Sequence, residues 1–399
     1  MTGSSECLNY AINAVSLAYL WHESYSEYSL NQARQYYGMT LKLLKNALQS
    51  SAPTQTASTV LTTLLLDLFE KITCSSSRKH VSWTCHLEGA LKLLACREPG
   101  QDQSPIDSHV LSLLSKHYMA GCIACGCLIP SDLVAIRARF APNPDNNHDT
   151  MSMYPLMVEY VTLKQEFDNG IYAAREIVQR FHDLDVSVEA LEEAMPLSWQ
   201  STTMYRTITG SCHRGRRIDT YTHRNICSAR NMLRIIRLEL NQVVIEHAQH
   251  EAEEGTCRGI LEASIAKIEC LVDDICASLP SWTDCDHDLS PSIFAKGHGS
   301  PTKRRTATAA RTGSGSPQCY HHYEPERRAN CTQLIFPLYA AGRATTRLRT
   351  RRWIIGCLHH IGDQFYLRSA KSAAQLLEEG GNVDPWDVYA LVGGYAFNG

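Results

Sequence analysis

The stretch that decides the fold is Ile226–Val243, ICSARNMLRIIRLELNQV. Ile226, Ala229, Leu233, Ile236, Leu240 and Val243 recur every three or four residues, which lines them along one side of a 3.6-residue helix. Arg230, Arg234 and Arg237 each stand one residue past a seam position, so a basic stripe flanks the apolar one. Leu261, Ile265, Ile268, Val272, Ile275 and Leu279 repeat the pattern further on. Neither stripe is sustained beyond about three heptads, so packing inside a helical bundle is expected rather than a long coiled coil.

The same period extends outward through most of the chain. Ala33, Tyr37, Leu41, Leu44 and Leu48 form one stripe, and Leu61, Leu64, Leu65 and Leu68 another behind Ser58, a candidate N-cap. Trp83, Leu87, Ala90, Leu91 and Leu94 follow, then Leu114, Tyr118, Cys122, Cys125 and Ile129, then Ile171, Ala174, Val178 and Phe181. A last helical region near 350–380 carries Ile354, Leu358, Ile361 and Phe365. Alternating strand patterns are nearly absent. The expected fold is all-α, a large helical bundle of paired antiparallel helices. Pro53, the polar run 74–79, Pro99-Gly100 and the stretch 142–150 read as loops. Residues 296–316, KGHGSPTKRRTATAARTGSGS, hold no large apolar side chain. Such a segment cannot bury enough surface to offset its ordering entropy. The expected organisation is therefore a first helical part over 1–295, a flexible, basic, Ser/Thr/Gly-rich insertion over 296–330, and a C-terminal helical part over 331–399.

Hydrophobic residues make up 44% of the 399, enough for a sizeable core. The formal net charge is -3, which argues against binding nucleic acid by bulk basicity. No apolar run approaches the roughly 20 residues of a membrane helix, and Met1–Cys7 lacks the pattern of a signal peptide. A soluble intracellular chain is expected, with its 16 cysteines as free thiols.

Candidate chemistry is sparse. Cys122, Cys125 and Cys127 are the densest thiol cluster. Cys127 lies about 200° around a helix from Cys125, which favours buried structural thiols over a metal or redox site. Cys285, Asp286, His287 and Asp288 read as a polar loop, and His247 and His250 as a surface pair. Asp273-Asp274 is the nearest approach to a magnesium-binding aspartate set of the terpene-synthase kind, but the further carboxylate one turn on is missing. Asp67 and Glu70 read as a common pair on a solvated helix face. The zinc-protease, phosphate-loop and nucleophile-elbow signatures are absent. No catalytic, cofactor or metal residues are expected. The Arg230, Arg234 and Arg237 stripe is either a partner-binding surface or a solvated flank whose stems cover the seam edge. Arg349, Arg351 and Arg352 open a helical region at the end that the helix dipole disfavours for cations. Lys303, Arg304 and Arg305, behind Pro301, form a candidate nuclear-import cluster.

Several stretches in order carry a family resemblance: Ala33–Tyr37, LTTLLLDLFE at 61–70, and the W-x-x-H-L-x-G-A-x-x-L-L pattern at 83–94. They continue with R-N-x-x-R-x-x-R-L-x-L-N at 230–241, FPLYAAG at 336–342, RWIIGCLHHIG at 352–362 and PWDVYA at 385–390. In that order they resemble the regulatory domain of fungal-specific zinc-cluster transcription factors. The resemblance implies a helical regulatory domain, a nuclear location and control of transcription. It also implies partners in the transcription machinery or among other regulators. In that family a binuclear cluster of six close cysteines reads DNA. Here the first cysteines, Cys7 and Cys74, stand far apart, so DNA is expected to be reached only indirectly. A homo- or heterodimer along the Ile226–Val243 seam is a further expectation, and a helical scaffold or metal-dependent enzyme is the alternative to a regulator.

Overall fold

The computed structural model describes residues 2–49, 57–73, 85–96, 105–139, 153–205, 217–251, 258–283, 325–381 and 383–391. The helices run α1 (Thr2–Ser24), α2 (Glu27–Gln49), α3 (Ala57–Thr73), α4 (Cys85–Ala95), α5 (Pro105–Cys125), α6 (Ser131–Arg139), α7 (Met153–Asp168) and α8 (Ala174–Ala194). A small antiparallel hairpin follows, β1 (Thr202–Tyr205) with β2 (Arg217–Thr220), Thr202 facing Thr220. Then come α9 (Arg224–Glu251), α10 (Arg258–Ser278), α11 (Pro280–Thr283), α12 (Pro325–Ala344), α13 (Leu348–Gln364), α14 (Arg368–Glu378) and α15 (Pro385–Leu391). The fold is all-α, as the periodicity predicts. Among the described residues no helix is long and apolar enough to cross a membrane.

Two apolar cores share α9. Leu233, Ile235, Ile236, Leu240 and Val244 pack into the first, with α3, α4, α5, α7 and α8. Cys227 and Leu238 face the second, made with α10, α12, α13 and α14. A helix buried on nearly every side must be apolar nearly all round, which explains why isoleucines and leucines stand beside as well as on the seam. Four of the six seam residues are buried in this chain's own cores. A dimer through that seam would require opening them, so the seam does not supply a free dimerisation face.

Local differences from the sequence pattern have simple causes. Leu41 and Leu48 are exposed, and the inner face of α2 runs through Ala33, Thr40 and Leu44. Ile171 sits exposed in the turn before α8. Steps of four overrun the 3.6-residue turn by about 40°, so a nominal stripe drifts off the buried side. The hairpin was not predicted because its four-residue strands offer too little alternation. Trp83 and residues 284–324, including Lys303, Arg304 and Arg305, lie outside the described residues. α12 begins at Pro325, so helix occupies the last six positions assigned to the insertion.

The C-terminal helices are started by carboxylates from elsewhere. Neither α13 nor α14 has a side-chain cap of its own. Glu269 of α10 accepts from the Thr346 N–H at 2.9 Å, from both Thr345 and Thr346 hydroxyls, and from Arg347 Nε at 2.5 Å. Glu23 of α1 accepts from the Arg368 N–H at 2.7 Å. The Arg368 guanidinium lies 3.3 Å over the Tyr25 ring and donates to the His22 carbonyl at 3.2 Å. Glu23 thus satisfies the first N–H of α14, Glu269 ties down the residues that lead into α13, and both stand at the positive end of a helix dipole. Gly342 permits the close packing of α12 on α14, since a Cβ there would sit 2.6 Å from Leu377 Cδ1.

Burial raises the Glu23 pKa, but His22 and the bond from the Arg368 N–H outweigh it and hold the carboxyl below its ordinary range. A depressed folded-state pKa contributes stability that is present above the unfolded value and lost as pH falls through the folded one. Glu23→Gln should therefore destabilise the protein at pH 7 by about 1 kcal/mol, in line with loss of a helix cap. Urea unfolding of both proteins should show that difference shrinking as pH drops below the ordinary carboxylate range.

Candidate functional site

The charged residues flanking the α9 seam converge on their own chain's acids. On α8, Asp185, Glu189 and Glu192 stand four and then three residues apart, which puts all three on the face toward α9. The Arg237 guanidinium meets all three. Nε donates to Asp185 Oδ1 at 2.8 Å, one terminal nitrogen to Glu192 Oε2 at 2.8 Å, and the other to Glu189 Oε1 at 2.6 Å. Lys267 of α10 donates to Asp185 Oδ2 at 2.7 Å and lies 3.1 Å from Glu189 Oε2. Arg230 adds a third cation, 3.9 Å from Glu192 Oε1, and donates to the Glu192 carbonyl at 3.2 Å. Three cations thus balance three carboxylates across three helices. Burial opposes the charge on Arg237 and Lys267, yet the acids around them hold both pKa values above the ordinary range. Burial raises the Glu189 pKa, but Arg237 and Lys267 more than offset it and hold the carboxyl below the ordinary range.

A second cluster joins α9 to the hairpin and α10. Arg234, only 3% exposed, donates to Asn231 Oδ1 at 2.8 Å and to the Tyr221 hydroxyl at 2.9 Å. Asn231 donates to Ser278 Oγ at 3.1 Å. Arg217 of β2 spans Asp219, at 2.6 and 3.1 Å, and Asp274, at 2.7 Å. Asp274 also lies 3.9 Å from Arg234 Nε. The arginines and aspartates here also balance.

These contacts revise the reading of the arginine stripe. A solvated flank is not what the structure shows: Arg234 and Arg237 are buried, and the groups they meet lie within the same chain. The spacing of Asp185, Glu189 and Glu192 beside an apolar stripe was the legible counterpart in the sequence, and it was missed. Asp219 carries no such signal, because its partner Arg217 lies two residues away on the same short strand, which the sequence pattern does not reveal.

Other candidates fall elsewhere. Asp273 is 3.1 Å from an Arg347 guanidinium nitrogen, so both members of the Asp273-Asp274 pair face arginines. Asp67 does not lie on a solvated face. It is buried, 2.6 Å from Lys71 Nζ and 3.7 Å from His117 Nδ1. Burial opposes its charge, but these partners hold its pKa below the ordinary range. Glu70 pairs with His86 at 3.0 Å and accepts from the Tyr37 hydroxyl. His247 packs edge-on against Phe167. Arg351 donates to the Leu377 carbonyl at 3.0 Å, closing the end of α14. The side chains of Cys125 and His250 and the whole of 285–288 lie outside the described residues. Among the described residues no group of three or more His, Cys, Asp or Glu side chains could hold a metal ion.

The fold and its interior define a class: a large helical protein whose strongest polar contacts join its own helices. The family model described as "Fungal specific transcription factor domain" matches residues 1–230. That span is more than half of the 399 residues, and the chain belongs to this family. No curated protein and no solved structure matches it.

Removing Arg237 leaves three acids facing one another with too few cations. Arg237→Ala should cost about 3–5 kcal/mol, the range for breaking a buried ion pair. A double-mutant cycle with Glu192→Gln should return part of that loss as a coupling energy, read by urea unfolding.

Proposed function

We propose that this chain is the non-enzymatic effector part of a transcription regulator that acts in the nucleus. It reaches DNA indirectly and presents its helical surface to the transcription machinery or to other regulators. Family membership over residues 1–230 carries this reading. The interior charge network supports it, because it couples the family-matched helices to those beyond residue 230. Arg237 and Lys267 bind acids of α8 from outside the matched span. A signal received on either part is thereby felt by the other. The net charge of -3 fits a protein that meets other proteins more than a phosphate backbone.

The division into a first helical part, a basic insertion and a C-terminal helical part that opens at Pro325 belongs to this reading. The two helical parts act together, and the Lys303–Arg304–Arg305 cluster between them serves as the import signal. The arginine stripe works from within: Arg230, Arg234 and Arg237 transmit between helices rather than touch a partner directly.

Fused to a heterologous DNA-reading domain in a fungal host, the full chain should raise or lower a reporter transcript. A fusion that accumulates in the nucleus, sits on the reporter and leaves its transcript unchanged would overturn the proposal. In a fluorescent fusion, replacing Lys303, Arg304 and Arg305 together by alanine should abolish nuclear enrichment. An unchanged nuclear-to-cytoplasmic ratio would remove the import role.

A further inference from the structure

The C-terminus of α5 places two thiols side by side. The helix ends in a left-handed turn at Gly126, with φ of 64°. The Cys127 N–H reaches back five residues to the Cys122 carbonyl at 3.0 Å. This six-to-one bond belongs to the Schellman ending, which brings the side chains at its two ends into contact. In most helices that contact joins two apolar residues. Here it joins two cysteines, Cys122 and Cys127. Their exposures differ. Cys122 is buried and lies 3.5 Å from the Leu128 carbonyl, whereas Cys127 is only partly covered.

We propose that Cys122 and Cys127 form a hydroperoxide-responsive dithiol, in which Cys127 is the sulfur oxidised first and Cys122 the thiol that resolves it. Redox-sensing cysteines share this arrangement: one accessible and readily ionised, the other poised beside it. The neighbouring Cys122 thiol outweighs burial and brings the Cys127 pKa down to about 7. Glu88 acts in the other direction, so the ionisation depends on the neighbouring thiol. The side chain of Tyr118 is a further titratable neighbour of both sulfurs, and Tyr154 of Cys122.

The chemistry balances. The Cys127 thiolate attacks the outer oxygen of a hydroperoxide. The O–O bond breaks, an alcohol leaves after taking up a proton, and Cys127 becomes a sulfenic acid. Cys122 sulfur then attacks the Cys127 sulfur. The S–O bond breaks, the Cys122 proton leaves with the hydroxyl as water, and a disulfide forms. The two thiols lose two electrons in total and the hydroperoxide gains them. A cellular dithiol reductant reverses the step by thiol–disulfide exchange. Oxidation removes the Cys122 donor from the Leu128 carbonyl and fixes the α5 ending, so the connection to α6 is where the change is felt.

The test uses the full chain, treated with hydrogen peroxide and then with an alkylating agent that marks every remaining thiol. The tryptic peptide spanning 117–137 contains Cys122, Cys125 and Cys127. After peroxide it should carry a single label, on Cys125, and regain labels at Cys122 and Cys127 after a dithiol reductant. In untreated protein Cys127 should be alkylated at pH 7 about tenfold faster than Cys270, whose thiol burial pushes up. Cys122→Ser keeps a donor for the Leu128 carbonyl. It should leave a persistent Cys127 sulfenic acid that dimedone traps. Persistent labelling of Cys122 and Cys127 while Cys85 or Cys270 oxidises would overturn the proposal, as would a disulfide that uses Cys125. The wild-type labelling pattern decides the matter even if a variant unfolds.

Discussion

The structure depends on a single guanidinium. Arg237 holds carboxylates from three positions of α8, and Lys267 ties two of them, Asp185 and Glu189, to α10. Each charge alone would be costly to bury, and their attraction offsets that cost only when nearly every polar atom has a partner. Here the planar fork of arginine meets that demand, since its three nitrogens face three separate acids. Lysine, with one nitrogen, could not. The cluster also sits where it matters most. α8 lies inside the family-matched span and α10 beyond it, so the network joins the recognisable part of the chain to the remainder.

A related constraint governs the C-terminal helices. α13 opens with Arg349, Arg351 and Arg352 and α14 with Arg368 and Lys371, where the helix dipole disfavours cations. Glu269 and Glu23 correct this from distant positions in the chain. The consequence is non-local. The last helices cannot reach full stability until α1 and α10 are in place, because Glu23, which caps the first N–H of α14, and Glu269, which holds the entry to α13, are carried there. Arg351 works in the same sense at the other end, donating to a carbonyl of the last turn of α14. Such mutual dependence favours a body that folds cooperatively as a whole.

How much of this was legible in the sequence follows from the range of each interaction. The helices were legible because a 3.6 period is local and repeated: Leu87, Leu94, Ile354, Leu358 and Phe365 all fall where their spacing puts them, fully buried. The family resemblance rested on ordered stretches and is met by the match over 1–230. The charge network was only half legible. The arginines are visible as a stripe, but Arg237 is buried against acids 45 to 52 residues away on α8. Charge is normally a surface signal, so a solvated flank was the natural inference and the wrong one. The dithiol was hidden for a different reason. Helical geometry separates residues 122 and 127 only while the helix continues, and the left-handed Gly126 ends it between them.

These observations bear on why a regulator would keep so much charge inside. Apolar stripes alone specify register weakly, since leucine and isoleucine tolerate a neighbour shifted by one turn. Polar pins do not. Asn231, Arg234 and Arg237 occupy successive turns of α9 and contact α10, the end of the hairpin and α8 in that order. Sliding α9 by one turn would strand several buried charges at once, at several kcal/mol for each pair broken. Intermediate positions are therefore disfavoured, and any rearrangement that does occur must exchange one complete set of pairs for another. Interiors that behave this way have discrete states rather than a continuum, which is the property a relay between two halves of a protein requires.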